Sequence, residues 1–447
     1  MPLFDDDELY IKKRDRRQFI KDGIAFIGGV GAAALLPPAY VRAVFDESHK
    51  GSSAFKEIGS SARKMLVVLH LGGGNDGLNT IIPYSNGNYF DIRPDISIKD
   101  EDILKINDDL AMHKSLTEIK RLYDDGNVAL ILGAGYPNPN KSHFLSMDIW
   151  HSASTNPKDD SGWLGRLIDA TTFEVNSQWK AANINNLASP SFQGSMTETP
   201  SIQSPKQYNF RFGSKQMGRS ADWLKIQTMQ KSYSQGNRYI NPSLLAMNEA
   251  RYGDQLAFVS QMGIEAYQST LNLNQNITDY QSLVKYPSTP LGQAYQTVSQ
   301  LIDAEIGTGI CYITTGGFDT HYNQNLEQAK LLEAFSQATN IFYEDMQKRN
   351  RDKDVSVLVW SEFGRRVKEN DSGGTDHGAA APMFLIGGNV KGGLYGEQPD
   401  INKLDDNGDL RYTVDFRSVY SSVLSQYLKT DPKDILDKKY PEIDLFV

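Results

Sequence analysis

The segment that decides the fold is MLVVLHL, residues 65–71, which is followed directly by Gly72, Gly73 and Gly74. All of its residues except His70 are apolar. A short apolar run that ends in glycine is typical of a strand buried on both faces of a parallel sheet. We therefore predict that this segment is a buried parallel strand of an α/β domain.

The same pattern returns along the chain. Comparable apolar runs occupy residues 128–132, 310–314, 355–360 and 383–386. Segments with helical periodicity accompany them over residues 116–123, 142–150, 291–306, 326–346 and 415–428. Strands that alternate with helices indicate a doubly wound α/β fold, with a mostly parallel sheet and helices on both faces.

The composition excludes several classes of protein. The chain has 447 residues, of which 39% are hydrophobic and 23% charged, and this argues against a disordered, collagen-like or coiled-coil protein. A net charge of −9 makes nucleic acid an improbable partner, because phosphate binding requires basic surfaces. The single cysteine, Cys311, rules out an internal disulfide, a cysteine-cluster zinc site and an iron–sulfur centre.

The N-terminus has the features of an export signal. Residues 12–21 read KKRDRRQFIK, an apolar glycine-rich run follows over residues 23–36, and Ala43 ends a candidate cleavage motif. The string RRQFIK resembles the twin-arginine (Tat) signal, which implies the Tat translocase as a partner and a periplasmic or otherwise exported protein. The alternative is an amphipathic N-terminal helix with a basic end.

These features divide the chain into a signal peptide over residues 1–43, a serine-rich linker over 44–62 and one α/β domain over 63–447. A polar stretch at about 172–241, rich in Ser, Gln, Asn and Pro, is predicted to be an insertion that covers the edge of the sheet. No later segment reaches the ~18 uninterrupted apolar residues of a membrane span, so we expect none in the mature chain.

Polar side chains follow or precede the predicted strands in five connections. Because ligands of open α/β sheets bind beyond the carboxyl ends of the strands, we expect these side chains to gather at one edge of the sheet. Carboxylates and imidazoles together predict a divalent metal site for Zn²⁺, Ca²⁺, Mg²⁺ or Mn²⁺. The candidates are Asp76, Ser142, His143, Asp319, His321, Glu362, Asp376 and His377.

Several of these residues also have a purely structural interpretation. Asp76 lies in GGGNDG, which contains the spacing G-x-G-x-x-G, but the residues that follow do not predict the helix that a dinucleotide site needs. Asp76 could instead cap its own turn, and Ser142 could be a plain helix N-cap. Glu362 could form a salt bridge with Arg365 or Arg366.

The histidines outside these connections are expected to be structural. His70 lies inside the first predicted strand and is interpreted as a core histidine with its hydrogen bonds satisfied. His113, near a predicted helix start, and His49, in the linker, are expected at the surface.

The motifs together resemble a known family. The strings LHLGGGNDGLNTIIPY, GYPNPNKSHFLSMDIW, GGFDTH, WSEFGRR, GTDHGAAAPMFLIGGNVKGGLYG and DLRYTVDFRSVY, over about residues 64–428, are similar to the Tat-exported bacterial proteins called domain of unknown function 1501. That family is in turn similar to the alkaline phosphatase/sulfatase superfamily. The resemblance implies a doubly wound α/β fold with one or two divalent metals at the strand ends.

The resemblance also implies roles for individual residues. Asp76 matches the superfamily's first metal-binding Asp, Ser142 falls near the nucleophile, and His377 matches the last metal-binding His. Asp319 and His321 resemble its Asp…His metal pair, with Asp376 as a further ligand beside His377. Glu362 stands alone where the superfamily has an Asp-His pair, so one imidazole ligand is missing, and His143 could serve as base or ligand. Lys141 and Arg365 would contact the substrate anion.

The resulting function is a metal-dependent hydrolase of a phosphate or sulfate ester. No Cys-x-Pro-x-Arg string is present, which argues against a formylglycine sulfatase. The alternative is a degenerate, non-catalytic relative that binds a glycan, a cell-wall fragment or a protein partner. A third possibility is a structural export partner with an empty cleft.

Overall fold

The computed structural model describes residues 64–156, 159, 161–170, 180–184, 188–194, 199–205, 211–212, 215–216, 273, 277 and 280–447. The chain divides into two compact units, of which residues 62–205 with 276–447 form one and residues 1–61 with 206–275 the other. The predicted signal peptide and the whole of the predicted linker lie outside the described residues.

Short strands build three sheets in the described part of the chain. The strands are β1 (Met65–Leu71), β2 (Ile81–Ile82), β3 (Ile103–Lys105), β4 (Ala111–His113), β5 (Val128–Gly135), β6 (Ala181–Asn183), β7 (Arg211–Phe212), β8 (Lys215–Gln216), β9 (Ile310–Thr315), β10 (Val355–Trp360), β11 (Ala381–Ile386), β12 (Gly393–Tyr395) and β13 (Val414–Asp415).

The five predicted helices are present, and their ends agree with the prediction to within a few residues. The described helices are α1 (Gly77–Thr80), α2 (Gly87–Ile92), α3 (Thr117–Asp124), α4 (His143–Ser152), α5 (Trp163–Ala170), α6 (Pro290–Asp303), α7 (Gln324–Lys348), α8 (Phe416–Ser422) and α9 (Pro432–Ile435). The sequence did not predict α1, α2, α5 and α9, and the short helix α1 begins directly after Asp76, where no helix was expected. A π-helical turn over Val423–Tyr427 continues α8 to the end of the helix predicted there. None of the helices in the described residues is long and apolar enough to cross a membrane.

The main sheet has the order β12-β5-β11-β10-β1-β9-β6, and β13 also pairs with β5. β1 is an interior strand that pairs in parallel with β9 and β10 and is buried along its whole length. β6 pairs in parallel with β9, and β12 with β5. The sequence therefore predicted this buried parallel strand and the mostly parallel α/β fold correctly.

The strand predicted at residues 383–386 differs from the others. β11 runs antiparallel to both of its neighbours, β5 and β10. Its apolar residues are buried on both faces like those of a parallel strand, so the apolar run does not reveal its direction. The reversal places the residues that precede β11 at the same edge of the sheet as the residues that follow β1, β9 and β10.

Both faces of the sheet are covered. On one face, Met383 and Leu385 of β11 join a core cluster with Trp150 of α4 and Phe416 of α8. On the other face, the ring of Phe384 lies 5.7 Å from that of Phe335 in α7. Adjacent strand residues thus pack against different helices, which is the layer arrangement of a doubly wound fold.

Two smaller sheets complete the described structure. β2, β4 and β3 form an antiparallel sheet after α1, and β7 pairs with β8. β6 lies within the stretch predicted as an insertion, and it supplies the strand beside β9 at the end of the main sheet. His113 at the end of β4 is buried, so the prediction that it is a surface residue was wrong. His49 lies outside the described residues.

Candidate metal centre

The loops after β1 and β9 pack directly against each other. Gly73 has φ +122°, and a Cβ atom there would lie only 2.3 Å from the backbone nitrogen of Asp319. Glycine is therefore required at this position both for its backbone conformation and for the close approach. This packing brings residues 316–321, which follow β9, to the centre of the sheet edge.

Three histidines from three different connections face the carboxylate of Asp319. The Nε2 atoms of His321 and His377 lie 3.0 and 3.1 Å from Asp319 Oδ1 and 3.0 Å from each other. The Nε2 atom of His143 lies 3.6 Å from Asp319 Oδ2. Among the described residues, His143, Asp319 and His377 form a group whose ligand atoms all lie within 4.8 Å of one another.

The other ring nitrogen of each histidine is held by an acceptor. The Nδ1–H of His377 donates to the carbonyl oxygen of Lys141 at 2.8 Å. The Nδ1–H of His143 donates to Glu362 Oε1 at 2.8 Å, and that of His321 to Asp376 Oδ1 at 3.2 Å. With Nδ1 carrying the proton, each Nε2 presents a lone pair to Asp319.

Glu362 follows β10 directly and is buried. Besides His143, its carboxylate accepts hydrogen bonds from Nε2–H of His70 at 3.0 Å and from the backbone N–H of Gly73 at 2.9 Å. Burial acts to raise the pKa of Glu362, but the hydrogen bonds from His70 and His143 outweigh it and hold this pKa far below its usual range. The salt bridge to Arg365 or Arg366 considered from the sequence is not formed; the partners are histidines instead.

Arg365 is fully buried behind Asp319. One of its amino groups donates to Asp319 Oδ1 at 2.6 Å, and the other lies 3.5 Å from His321 Nε2. Its guanidinium also donates to backbone carbonyls of the surrounding loops. These acceptors are Gly73, Gly74, Phe318 and Thr375. Arg365 is therefore held by the protein itself. Partial burial acts to raise the pKa of Asp319, but the hydrogen bond and the positive charge of Arg365 keep it below its usual value.

Lys141 and Ser142 lie at the start of α4, beside His377. The Nζ of Lys141 forms an ion pair with the buried carboxylate of Asp409, which anchors this end of the loop. Ser142 is the N-cap residue of α4, but its side chain makes no capping hydrogen bond. The structural role that the sequence allowed for Ser142, a side-chain cap on α4, is therefore not observed.

Asp76 is embedded in a different network. Its Oδ1 accepts from the backbone N–H groups of Leu78 and Asn79 and so caps α1. Its Oδ2 accepts from Arg93 at 2.7 Å and from the side-chain amide of Gln324 at 2.5 Å. Both oxygens are thus fully used, and the structural alternative for Asp76 matches these contacts. Its assignment as a ligand stays a prediction.

Comparison with known proteins identifies the family. The family model described as "Protein of unknown function (DUF1501)" matches residues 63–410. The chain belongs to this family. No curated protein matches this DUF1501 chain.

Three solved structures share a distant likeness with the DUF1501 chain. Ps i-CgsB in complex with k-i-k-neocarrahexaose has 12% identity and a TM-score of 0.35, and the match covers 83% of this chain and 77% of that one. The integral membrane protein lipooligosaccharide phosphoethanolamine transferase A (EptA) from Neisseria meningitidis has 8% identity and a TM-score of 0.34, and the match covers 85% of this chain and 59% of that one. PsFucS1 sulfatase from Pseudoalteromonas sp. has 10% identity and a TM-score of 0.31, and the match covers 79% of this chain and 67% of that one. TM-scores this low support no inference about function.

The structure thus assembles most of the predicted residues of the DUF1501 chain in one place and adds one that the sequence did not suggest. The added residue is His70, which is buried as expected of a core histidine but donates its hydrogen bond to Glu362. The only signal in the sequence was a histidine next to the end of the apolar run of β1. Such a run does not reveal which residue the histidine contacts. The assembled residues are Lys141, His143, Asp319, His321, Glu362, Arg365, Asp376 and His377.

Proposed function

We propose that the DUF1501 chain binds one divalent transition metal through Asp319, His377 and His143, with His321 completing the set. The observation that carries the proposal is that Nε2 lone pairs and a carboxylate face one another at 3.0–3.6 Å. A lone pair that faces a carboxylate or a second lone pair at this distance is repelled unless a proton or a cation lies between them. The guanidinium of Arg365 reaches Asp319 Oδ1 and, at 3.5 Å, His321 Nε2, but it does not reach the Nε2 atoms of His143 and His377. A proton can bridge one pair at a time, whereas a metal ion can face all of them.

The chemistry of the donors selects the metal class. Three imidazoles and one carboxylate form the N/O set that Zn²⁺ accepts in tetrahedral coordination. Ca²⁺ and Mg²⁺ prefer oxygen ligands, so this set disfavours two of the four metals considered from the sequence. We therefore infer Zn²⁺, or another metal that binds imidazole well, as the resident ion.

We further propose that the site hydrolyses a phosphate or sulfate ester. A bound divalent cation supplies Lewis-acid chemistry, which stabilises the charge on an ester oxygen and lowers the pKa of a hydroxyl or water. The side chains of His143, Asp319, His321 and His377 are 23–48% exposed, so a substrate can approach them. The motif resemblance to the alkaline phosphatase/sulfatase superfamily supports the same reaction class.

The protein's own groups have distinct tasks in this proposal. Ser142, at the N-terminus of the ten-residue helix α4, would present its hydroxyl to the ester, where free backbone N–H groups favour an anion. Arg365 keeps Asp319 charged and fixed, and Lys141 holds His377 through its backbone carbonyl. Arg365 and Lys141 would therefore shape the site rather than bind the substrate directly.

The first test is metal content, measured by elemental analysis of full-length protein purified without chelators. We expect about one equivalent of a transition metal, in the stoichiometry of a single four-ligand site. The double variant Asp319→Ala/His377→Ala should lose it, while Asp406→Ala, which removes an exposed carboxylate outside the cluster, should retain it. Metal-free wild-type protein that also fails to bind added Zn²⁺ would overturn the proposal.

The second test is turnover of a panel of phosphate and sulfate esters. We expect hydrolysis that the double variant loses and Asp406→Ala keeps. Stoichiometric metal without turnover of either ester class would overturn the hydrolase and leave the binding-only alternative, in which the site recognises a glycan, a cell-wall fragment or a protein partner.

We also propose that the protein is exported through the Tat translocase. The support is the string RRQFIK at residues 16–21 followed by a glycine-rich apolar run. Replacing Arg16 and Arg17 with lysine should abolish export of the full-length chain, measured as its accumulation in the periplasmic fraction. Export that is unchanged by this double replacement would count against the Tat route.

A further inference from the structure

Glu362 is the most enclosed carboxylate in contact with the metal centre, at 1% side-chain exposure. Its Oε1 accepts from His143 Nδ1–H and Gly73 N–H, and its Oε2 accepts from His70 Nε2–H. The hydroxyl of Ser361 also lies near Oε2, but it gives its one proton to a backbone carbonyl oxygen of β1 at 2.7 Å. Three donors thus hold this enclosed carboxylate in place before any ion binds.

We propose that Glu362 is a positioning residue that acts on the metal through His143 and is not itself a ligand. The inference rests on the proposed metal site. By accepting the proton of His143 Nδ1, Glu362 fixes the ring in the tautomer whose Nε2 lone pair faces Asp319. His70, a residue of β1, donates a hydrogen bond to the other carboxylate oxygen and so prevents the Glu362 side chain from rotating away from His143.

The negative charge of Glu362 also favours binding of a metal ion. Among the described residues, no arginine or lysine forms an ion pair with this buried carboxylate, and its hydrogen-bond donors are two imidazoles and a backbone amide. A buried anion without a permanent cation is costly. A divalent cation on the far side of the His143 ring would supply the compensating charge, so the ion and the carboxylate favour each other.

The neighbouring rings restrict His143 further. The ring of Phe363 lies 4.9 Å from the His143 ring, and that of His377 lies 4.4 Å away in an edge-on arrangement. His143 therefore has one packed orientation in which Nδ1 faces inward and Nε2 faces the cluster. The imidazole missing from the expected Asp-His pair is thus replaced by that of His143, which begins α4 and is hydrogen-bonded to Glu362.

The test is the affinity for Zn²⁺ of the full-length chain after chelator treatment, measured by competition with a chromophoric chelator. Glu362→Gln keeps the shape but removes the charge, and its amide can offer a donor to His143 Nδ1, which favours the wrong tautomer. We expect the dissociation constant for Zn²⁺ to rise about 10–100-fold, the usual range for changes in groups that orient metal ligands. The visible spectrum of bound Co²⁺ should change as well.

A double-mutant cycle separates positioning from a general structural effect. If Glu362 acts through His143, Glu362→Gln should cause no further loss of Zn²⁺ affinity in a His143→Ala background. Asp345→Asn is the matched control. Asp345 is as buried as Glu362, but its carboxylate accepts hydrogen bonds from Tyr286 and Ser299, which are not part of the cluster. This control should lower stability and leave Zn²⁺ affinity unchanged.

A measurement on the wild-type chain needs no variant to fold. The ¹⁵N resonances of His143 in the metal-free protein should show a protonated Nδ1 and an unprotonated Nε2. The opposite tautomer, unchanged Zn²⁺ affinity in Glu362→Gln, or an equal loss in the His143→Ala background would each overturn the inference while leaving the metal site intact. A wild-type chain that binds no Zn²⁺ would overturn the proposed function and this inference together.

Discussion

Asp76 and Asp319 occupy equivalent places in the sequence but very different places in the structure. Each follows an interior parallel strand through a glycine turn, and each matched a metal ligand by motif. Asp76 is 1% exposed and paired with the fully buried Arg93. Asp319 is 48% exposed and faces three histidines. Position after a strand therefore brings a carboxylate to the sheet edge, while its neighbours decide between a structural and a ligating role.

The physical difference lies in what neutralises each charge. Arg93, Gln324 and two backbone N–H groups satisfy Asp76 completely, so the folded chain has no need of an ion there. Asp319 has one permanent cation, Arg365, on Oδ1 and only histidine nitrogens elsewhere. The contrast predicts that Asp76 contributes mainly to stability and Asp319 mainly to metal affinity.

The largest expected effect is that of Asp76→Ala on stability. Removing this carboxylate leaves Arg93 buried without its ionic partner, which typically costs about 3–5 kcal/mol. Urea unfolding of the metal-free chain measures the loss. Asp102→Ala breaks a half-exposed ion pair with Lys114 and should cost only about 0–1 kcal/mol. If Asp76→Ala is no worse than this control, the structural assignment is wrong.

Asp319→Ala should reverse that pattern. We expect Zn²⁺ affinity to fall by more than the roughly 100-fold upper range for groups that only orient ligands, because a ligand itself is lost. Competition with a chromophoric chelator provides the measurement. The free energy of unfolding without metal should change less than for Asp76→Ala, since Asp319 is 48% exposed and water can replace its carboxylate beside Arg365. Equal Zn²⁺ binding by wild type and variant would refute the contrast.

Glu362, which holds His143 beside Asp319, predicts an effect of pH on stability. Its pKa is lowered in the folded chain, so its contribution to stability is full above the unfolded value of about 4.3 and is lost as pH falls toward the folded value. In chelator-treated protein, the urea midpoint of wild type should therefore fall more steeply between about pH 5 and pH 3 than that of Glu362→Gln. Parallel pH profiles for the two proteins would contradict this account.

The smallest effect is expected for Asp376→Asn. Asp376 is 59% exposed and holds His321 by one hydrogen bond of 3.2 Å, so water can replace it at little cost. Zn²⁺ affinity should fall by about tenfold at most, the lower end of the range for such orienting groups, and stability should stay unchanged. A loss as large as that of Asp319→Ala would instead make Asp376 a ligand.

Much of this arrangement could be predicted because its signals are local. Apolar runs bounded by glycine gave β1, β5, β9 and β10, and helical periodicity gave α4 and α7. The positions of Asp319 and His321 in one glycine-led turn follow from the same pattern. The partners of Asp76 and Glu362 could not be predicted, because Arg93 and His70 lie in segments whose local pattern says nothing about the sheet edge.

The sequence by itself determined the α/β class, the buried parallel strand β1 and the candidate residues at the strand ends, since burial and turn formation depend on neighbouring residues. Only the tertiary structure decided the direction of β11, because an apolar strand buried on both faces looks the same in either direction. That direction places His377, which precedes β11, beside Asp319, which follows β9. Had β11 been parallel, His377 would lie at the opposite edge of the sheet, and the cluster would not form.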